Sequence, residues 1–141
     1  MKLVVTANYD HAEVAKLIDF GASMLVDKLD TSALICKVKN SKNIYRGCAW
    51  PSVQTIADRD AGYRYLVTMG VGCRYDYPVD TRRHKRHGGL ILLSWQECIV
   101  YLATHELQHI ADYQNIGQSG EARPNAVCYR AVLAYRNQQA I

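Results

Sequence analysis

Ser94-Trp95-Gln96-Glu97-Cys98-Ile99-Val100-Tyr101-Leu102-Ala103-Thr104-His105-Glu106-Leu107-Gln108-His109-Ile110 is the stretch whose reading decides the fold. Ser94 and Glu97 have the spacing of a capping box, in which each side chain satisfies a free backbone N–H at a helix start. Cys98, Leu102, Leu107 and Ile110 carry the apolar side of the helix that follows. It should stop near Asn115, because Gly117 suits the left-handed residue that ends many helices. Just upstream, Leu90-Ile91-Leu92-Leu93 reads as a buried strand.

Within that helix stands His105-Glu106-Leu107-Gln108-His109. Histidines at i and i+4 lie one above the other, so both imidazoles can reach one metal ion. Glu106 is rotated by about 100° from His105, the increment of a helix with 3.6 residues per turn. Its carboxylate can meet a water on that metal without taking a coordination position. Two imidazoles and a carboxylate suit zinc, with a fourth position left for water. The metal lowers the water's pKa and Glu106, as catalytic base, takes the proton. With five His and four Glu in 141 residues, shuffled chains of this composition show the pattern about once in 200, and the capped helix adds weight to it.

Outward from the helix, a last helix is expected over about Pro124 to Asn137. Upstream, Leu3-Val4-Val5-Thr6-Ala7 is β-type, and Asp10 with Glu13 starts a helix that runs at apolar spacing to about Leu29. Ala33–Val38 and Ile44–Trp50 read as strands, and Asn40-Ser41-Lys42-Asn43 between them suits a hairpin turn. Tyr63-Arg64-Tyr65-Leu66-Val67-Thr68-Met69-Gly70-Val71 reads as another strand, while residues 51–62 carry no clear signal. The expected class is α+β: a mixed sheet with an N-terminal helix, the motif helix and a C-terminal helix, in a single domain over residues 1–141.

Composition narrows the classes further. Apolar types make up 49% and charged types 21%, which favours a folded chain. No apolar run approaches the roughly 18–20 residues of a membrane helix. The apolar start is too short for a signal peptide core, and five cysteines without a CxxC pair read as reduced thiols. A cytoplasmic, non-membrane protein is therefore expected. Net charge is +4, matched in number by Arg82, Arg83, Lys85 and Arg86. That loop, which also holds His84 and His87, reads either as solvated chain or as a site for an acidic partner, peptide or nucleic acid.

These motifs resemble a minimal zincin metallopeptidase, specifically over about Leu90 to Asn125 and only in architecture upstream. The resemblance implies an HExxH helix behind a mixed sheet whose edge strand binds extended peptide or protein substrate, which makes Tyr65–Val71 the expected edge. Metzincins place a third histidine six residues after the second, with a glycine at the third. Asn115 and Asp112 stand there, so that branch does not fit. Gluzincins take a glutamate from the next helix, and Glu121 is the one Glu after the motif. The resemblance thus implies His105, His109 and Glu121 as zinc ligands. Asn125 is then the expected polar neighbour of a ligand histidine, with Asp112 as an outer-shell acceptor or a surface residue. Tyr129 is the candidate oxyanion donor, Tyr113 the other tyrosine near the motif, and Cys128 reads as a buried thiol. The implied activity is peptide-bond hydrolysis. The other reading is a nucleic-acid- or protein-binding module with a structural or vestigial zinc site, which would need the histidines but not Glu106.

Overall fold

Asp10 starts the first helix as its sequence suggests: its carboxylate accepts from the Glu13 backbone N–H at 3.0 Å. The computed structural model describes residues 1–42, 46–82 and 89–140. The first strand, β1 (Lys2–Val5), leads into α1 (His11–Ser23), which buries Val14, Leu17, Ile18 and Gly21. The helix ends before Leu29, although Leu25 and Leu29 still pack on the core. Beyond Ser23, long side chains from a later helix capture the backbone: Val26 N–H donates to Gln108 Oε1 and Asp30 N–H to Gln114 Oε1. Apolar spacing persists there without helical hydrogen bonding.

The sheet corrects two expectations. Strands β2 (Leu34–Asn40), β3 (Arg46–Trp50) and β4 (Tyr65–Val71) join β1 in the order β1-β2-β4-β3. β2 and β3 form no hairpin; β4 lies between them, parallel to β2 and antiparallel to β3. Tyr65–Val71 is therefore an inner strand; β1 and β3 are the edges, and Arg46–Trp50 is the one packed against the motif helix. The physical reason is visible in β4 itself, where every residue but Thr68 is buried. A continuous apolar run suits a strand flanked on both sides by others and covered by α3, whereas an edge strand tolerates the exposed and small residues of Arg46-Gly47-Cys48-Ala49-Trp50. A short helix, α2 (Ile56–Asp60), occupies the stretch with no clear signal. Two-residue strands β5 (Val79–Asp80) and β6 (Ile91–Leu92) pair antiparallel, so the expected strand at 90–93 is shorter and Leu93 is exposed.

Ser94 caps α3 (Trp95–Ile116), its hydroxyl accepting from Glu97 N–H, and Glu97 Oε1 accepts from Leu93 N–H. Gly117 closes the helix at φ 81°, a conformation that suits glycine. α4 (Ala122–Gln139) then runs back along α3. Arg136 of α4 binds Glu97 at 2.8 Å and also donates to the Ile91 carbonyl. α1 and α4 flank α3, which is buried from Trp95 to Asp112 apart from its half-buried Gln96. The result is a mixed α+β protein with four helices and a small mixed sheet among the described residues. No helix among them is long and apolar enough to cross a membrane.

Candidate metal centre

His105 and His109 sit one turn apart on the inner face of α3, their rings edge to face with centroids 4.9 Å apart and Nε2 atoms 3.2 Å apart. Glu121 meets them from the start of α4, Oε2 lying 3.1 Å from His105 Nε2 and Oε1 3.4 Å from His109 Nε2. Pro124 explains how so short a connection suffices. It sits in the first turn of α4, where its missing N–H leaves no helical bond unmade, so the helix begins at Ala122 with Glu121 as its N-cap. Glu121 makes no side-chain capping bond; its carboxylate turns to the histidines instead. Donor atoms of all three residues lie within 4.8 Å of one another, a group that can hold a metal ion.

The far side of each ring is also held. Ser119 Oγ donates to Asp112 Oδ2 at 3.0 Å, because a carboxylate can only accept. The same oxygen is 2.7 Å from His109 Nδ1, so it accepts the Nδ1 proton and leaves the Nε2 lone pair facing inward. Around His105 a thiol serves. Cys128 Sγ donates to the Asn125 carbonyl at 3.3 Å and lies 3.8 Å from His105 Nδ1. Burial pushes the Cys128 thiol up to about 12, so it remains protonated. Burial also lowers the His109 pKa against the opposing pull of Glu121 and Asp112, favouring the neutral imidazole that binds metals.

Asp112 lies one hydroxyl away from His109, through Ser119. Asn125 does not reach a histidine with its side chain: its backbone carbonyl takes the Cys128 proton, while its buried Oδ1 has no hydrogen-bond partner among the described residues. Ser119 and Cys128 are the partners that sequence reasoning missed in this role, since neither spacing nor residue type distinguishes them from loop and core.

Glu106 projects toward the edge strand. Its Oε1 is 3.8 Å from His105 Nε2. Burial first, then the charge of Glu121, raises its pKa to about 8. Gly47 of β3 makes room for it: a Cβ there would stand 2.9 Å from both Cγ and Oε1 of Glu106. Between β3 and α3 opens a cleft of about 440 Å³, lined by Gly47, Cys48, Ala49 and Trp50 on one side. Opposite stand His105, Glu106, His109, Tyr113 and Glu121.

Tyr113 therefore replaces Tyr129 as the phenol at the cleft. Tyr113 is one helical turn beyond His109, their rings 6.5 Å apart. Tyr129 follows Glu121 by eight positions, a rotation of about 80° from its face, and is 40% exposed outside the cleft lining. Arg82 folds onto Asp80, Nη2 to Oδ2 at 2.8 Å. Arg83, His84, Lys85, Arg86 and His87 lie outside the described residues. Comparison of the chain with family models, curated proteins and solved structures finds no match.

Proposed function

We propose that the protein is a zinc-dependent metallopeptidase of the zincin type, gluzincin-like in its ligand set, that hydrolyses peptide bonds. The observation that carries this reading is the placement of Glu106. It is a buried carboxylate beside the His105–His109–Glu121 group, outside that group, and facing an edge strand across an open cleft. A purely structural metal site has no use for it.

The donor set fits zinc. Two neutral imidazoles and one carboxylate converge, and the histidine tautomers are fixed by Ser119 and Cys128, leaving the fourth position that a catalytic zinc site keeps. Bound there, zinc would supply a Lewis acid for the scissile carbonyl and bring water to a pKa near 7. The chain's own groups do the rest. Glu106 takes the water proton on its carboxylate and returns it to the leaving amine. Tyr113 is placed to donate to the carbonyl oxygen as charge develops. The outer edge of β3, without a strand partner among the described residues, offers backbone groups to an extended peptide.

Elemental analysis and peptide hydrolysis of Glu106→Gln test the reading together. The variant should keep one zinc per chain while losing about 10²–10⁴ in rate, the usual cost of a removed general base. Wild-type hydrolysis by Glu106→Gln would refute the mechanism. One zinc per chain, with no cleavage of a broad peptide library by wild type, would favour the binding-module reading.

A further inference from the structure

No acidic residue occurs in β1–β4, and one face of the sheet gathers basic ones. Cys36, Val38, Val67 and Met69 turn toward the helices and enter the core. Strand side chains alternate, so Lys37, Lys39, Arg46 and Thr68 take the opposite face. Register arranges them in rows across β2, β4 and β3: Lys37, Thr68, Cys48 in one and Lys39, Gly70, Arg46 in the next.

This second row borders a hollow of about 340 Å³, lined also by Ser41, Cys48, Trp50 and Thr68. Its floor at Gly70 is bare backbone, since a Cβ there would come within 2.8 Å of the Ser41 Cβ. Lys39 and Arg46 are exposed and form no ion pair among the described residues. Both charges reach Cys48, where they oppose the upward push of burial and of Glu106 on the thiol pKa. Cys48 and Trp50 line this hollow and the metal cleft alike, so β3 is the wall between them. Its outer edge has no strand partner among the described residues.

A peptide added to that edge continues the alternation of the sheet. One set of its side chains faces α3 and the metal group; the other set emerges on the basic face next to Arg46, with Lys39 two strands beyond it across β4. We propose that an extended peptide pairs with the free edge of β3 and is selected for acidic side chains at the alternate positions on the face of Arg46, where Lys39 adds its charge from β2. This rests on the peptidase reading of the cleft and gives it a substrate class, a strand with carboxylates on one side.

Binding, rather than turnover, tests it. Zinc-loaded Glu106→Gln protein is titrated, by fluorescence anisotropy at low salt, into a labelled peptide alternating threonine with aspartate. A twin peptide carries asparagine in place of aspartate. The aspartate peptide should bind about five-fold more tightly, as an exposed ion pair with Arg46 and the added charge of Lys39 allow, and added salt should erase the difference. Lys39→Ser with Arg46→Ser should remove the preference, and Lys39→Glu with Arg46→Glu should transfer it to a threonine–lysine peptide. Equal affinity for the aspartate and asparagine peptides, a preference that survives both double variants, or no binding of the aspartate peptide would overturn the proposal. Acid-selective binding by a wild-type protein that cleaves nothing would leave the selectivity standing and sink the peptidase reading alone.

Discussion

In the proposed mechanism, much of the chemistry hangs on one missing methyl group, at Gly47. Any Cβ at this position collides with the Glu106 side chain, so either the carboxylate or the edge strand must shift. Displacing a catalytic group by about 1 Å can cost on the order of 10²-fold in rate. Gly47→Ala is expected to lose activity on that scale while retaining zinc, because the residue lies against the base and not against the ligands. Parallel assays of metal content and hydrolysis check this, and simultaneous loss of both would refute it. Glu106 makes a second prediction, for the zinc-free protein. Its folded-state pKa is raised from 4.5 to about 8, so the folded chain binds a proton that the unfolded chain gives up. Stability from this group is full below the unfolded value and is lost as pH rises through about 8. Melting temperature of the metal-free protein should therefore fall between about pH 4.5 and 8, and the slope should flatten in Glu106→Gln. A slope identical in both proteins would show that other groups set it.

Elements, not single residues, aim the ligands. α3 supplies two imidazoles in fixed rotation, and the tight connection after Gly117 brings both Ser119 and Glu121 back against it. Removing the Ser119 hydroxyl breaks the link from His109 to Asp112, and such outer partners typically carry 10- to 100-fold in metal affinity. Ser119→Ala should weaken zinc binding by about that factor with the helices intact; competition against a chromogenic chelator measures it, and unchanged affinity would remove Ser119 from the site. This scale also separates what the sequence made legible from what it hid. Ser94, Glu97 and Gly117 announce α3 because capping chemistry is local, and His105 and His109 follow from helical spacing, whereas Glu121 comes only from what the family resemblance implies. Pairing of β3 with β4 is a long-range choice that leaves no mark in either strand. The apolar run of β4 could have shown that it lies inside the sheet, but Gly47 and Cys48 reveal nothing until the strand is placed beside Glu106. Tyr129 and Tyr113 differed only in helical phase, which depended on where α4 began.

For the whole molecule, the three metal donors come from neighbouring chain, whereas the opposite wall of the cleft comes from a distant strand. Assembly and loss of function need not coincide in such an arrangement. A short loop closes at little entropic cost, and each doubling of loop length adds only about 0.6 kcal/mol, so the α3–α4 pair can grip an ion before β3 is seated. Edge strands, held on one side, are also the first parts of a sheet to fray. In a denaturant series at saturating zinc, hydrolysis should disappear at lower denaturant than zinc release does, leaving an interval in which the ion is bound but nothing is cleaved. Coincident midpoints would mean that β3 and the helical pair come apart as one unit. Where the interval exists, zinc content overstates the number of working molecules, and a preparation can be fully metallated and largely idle.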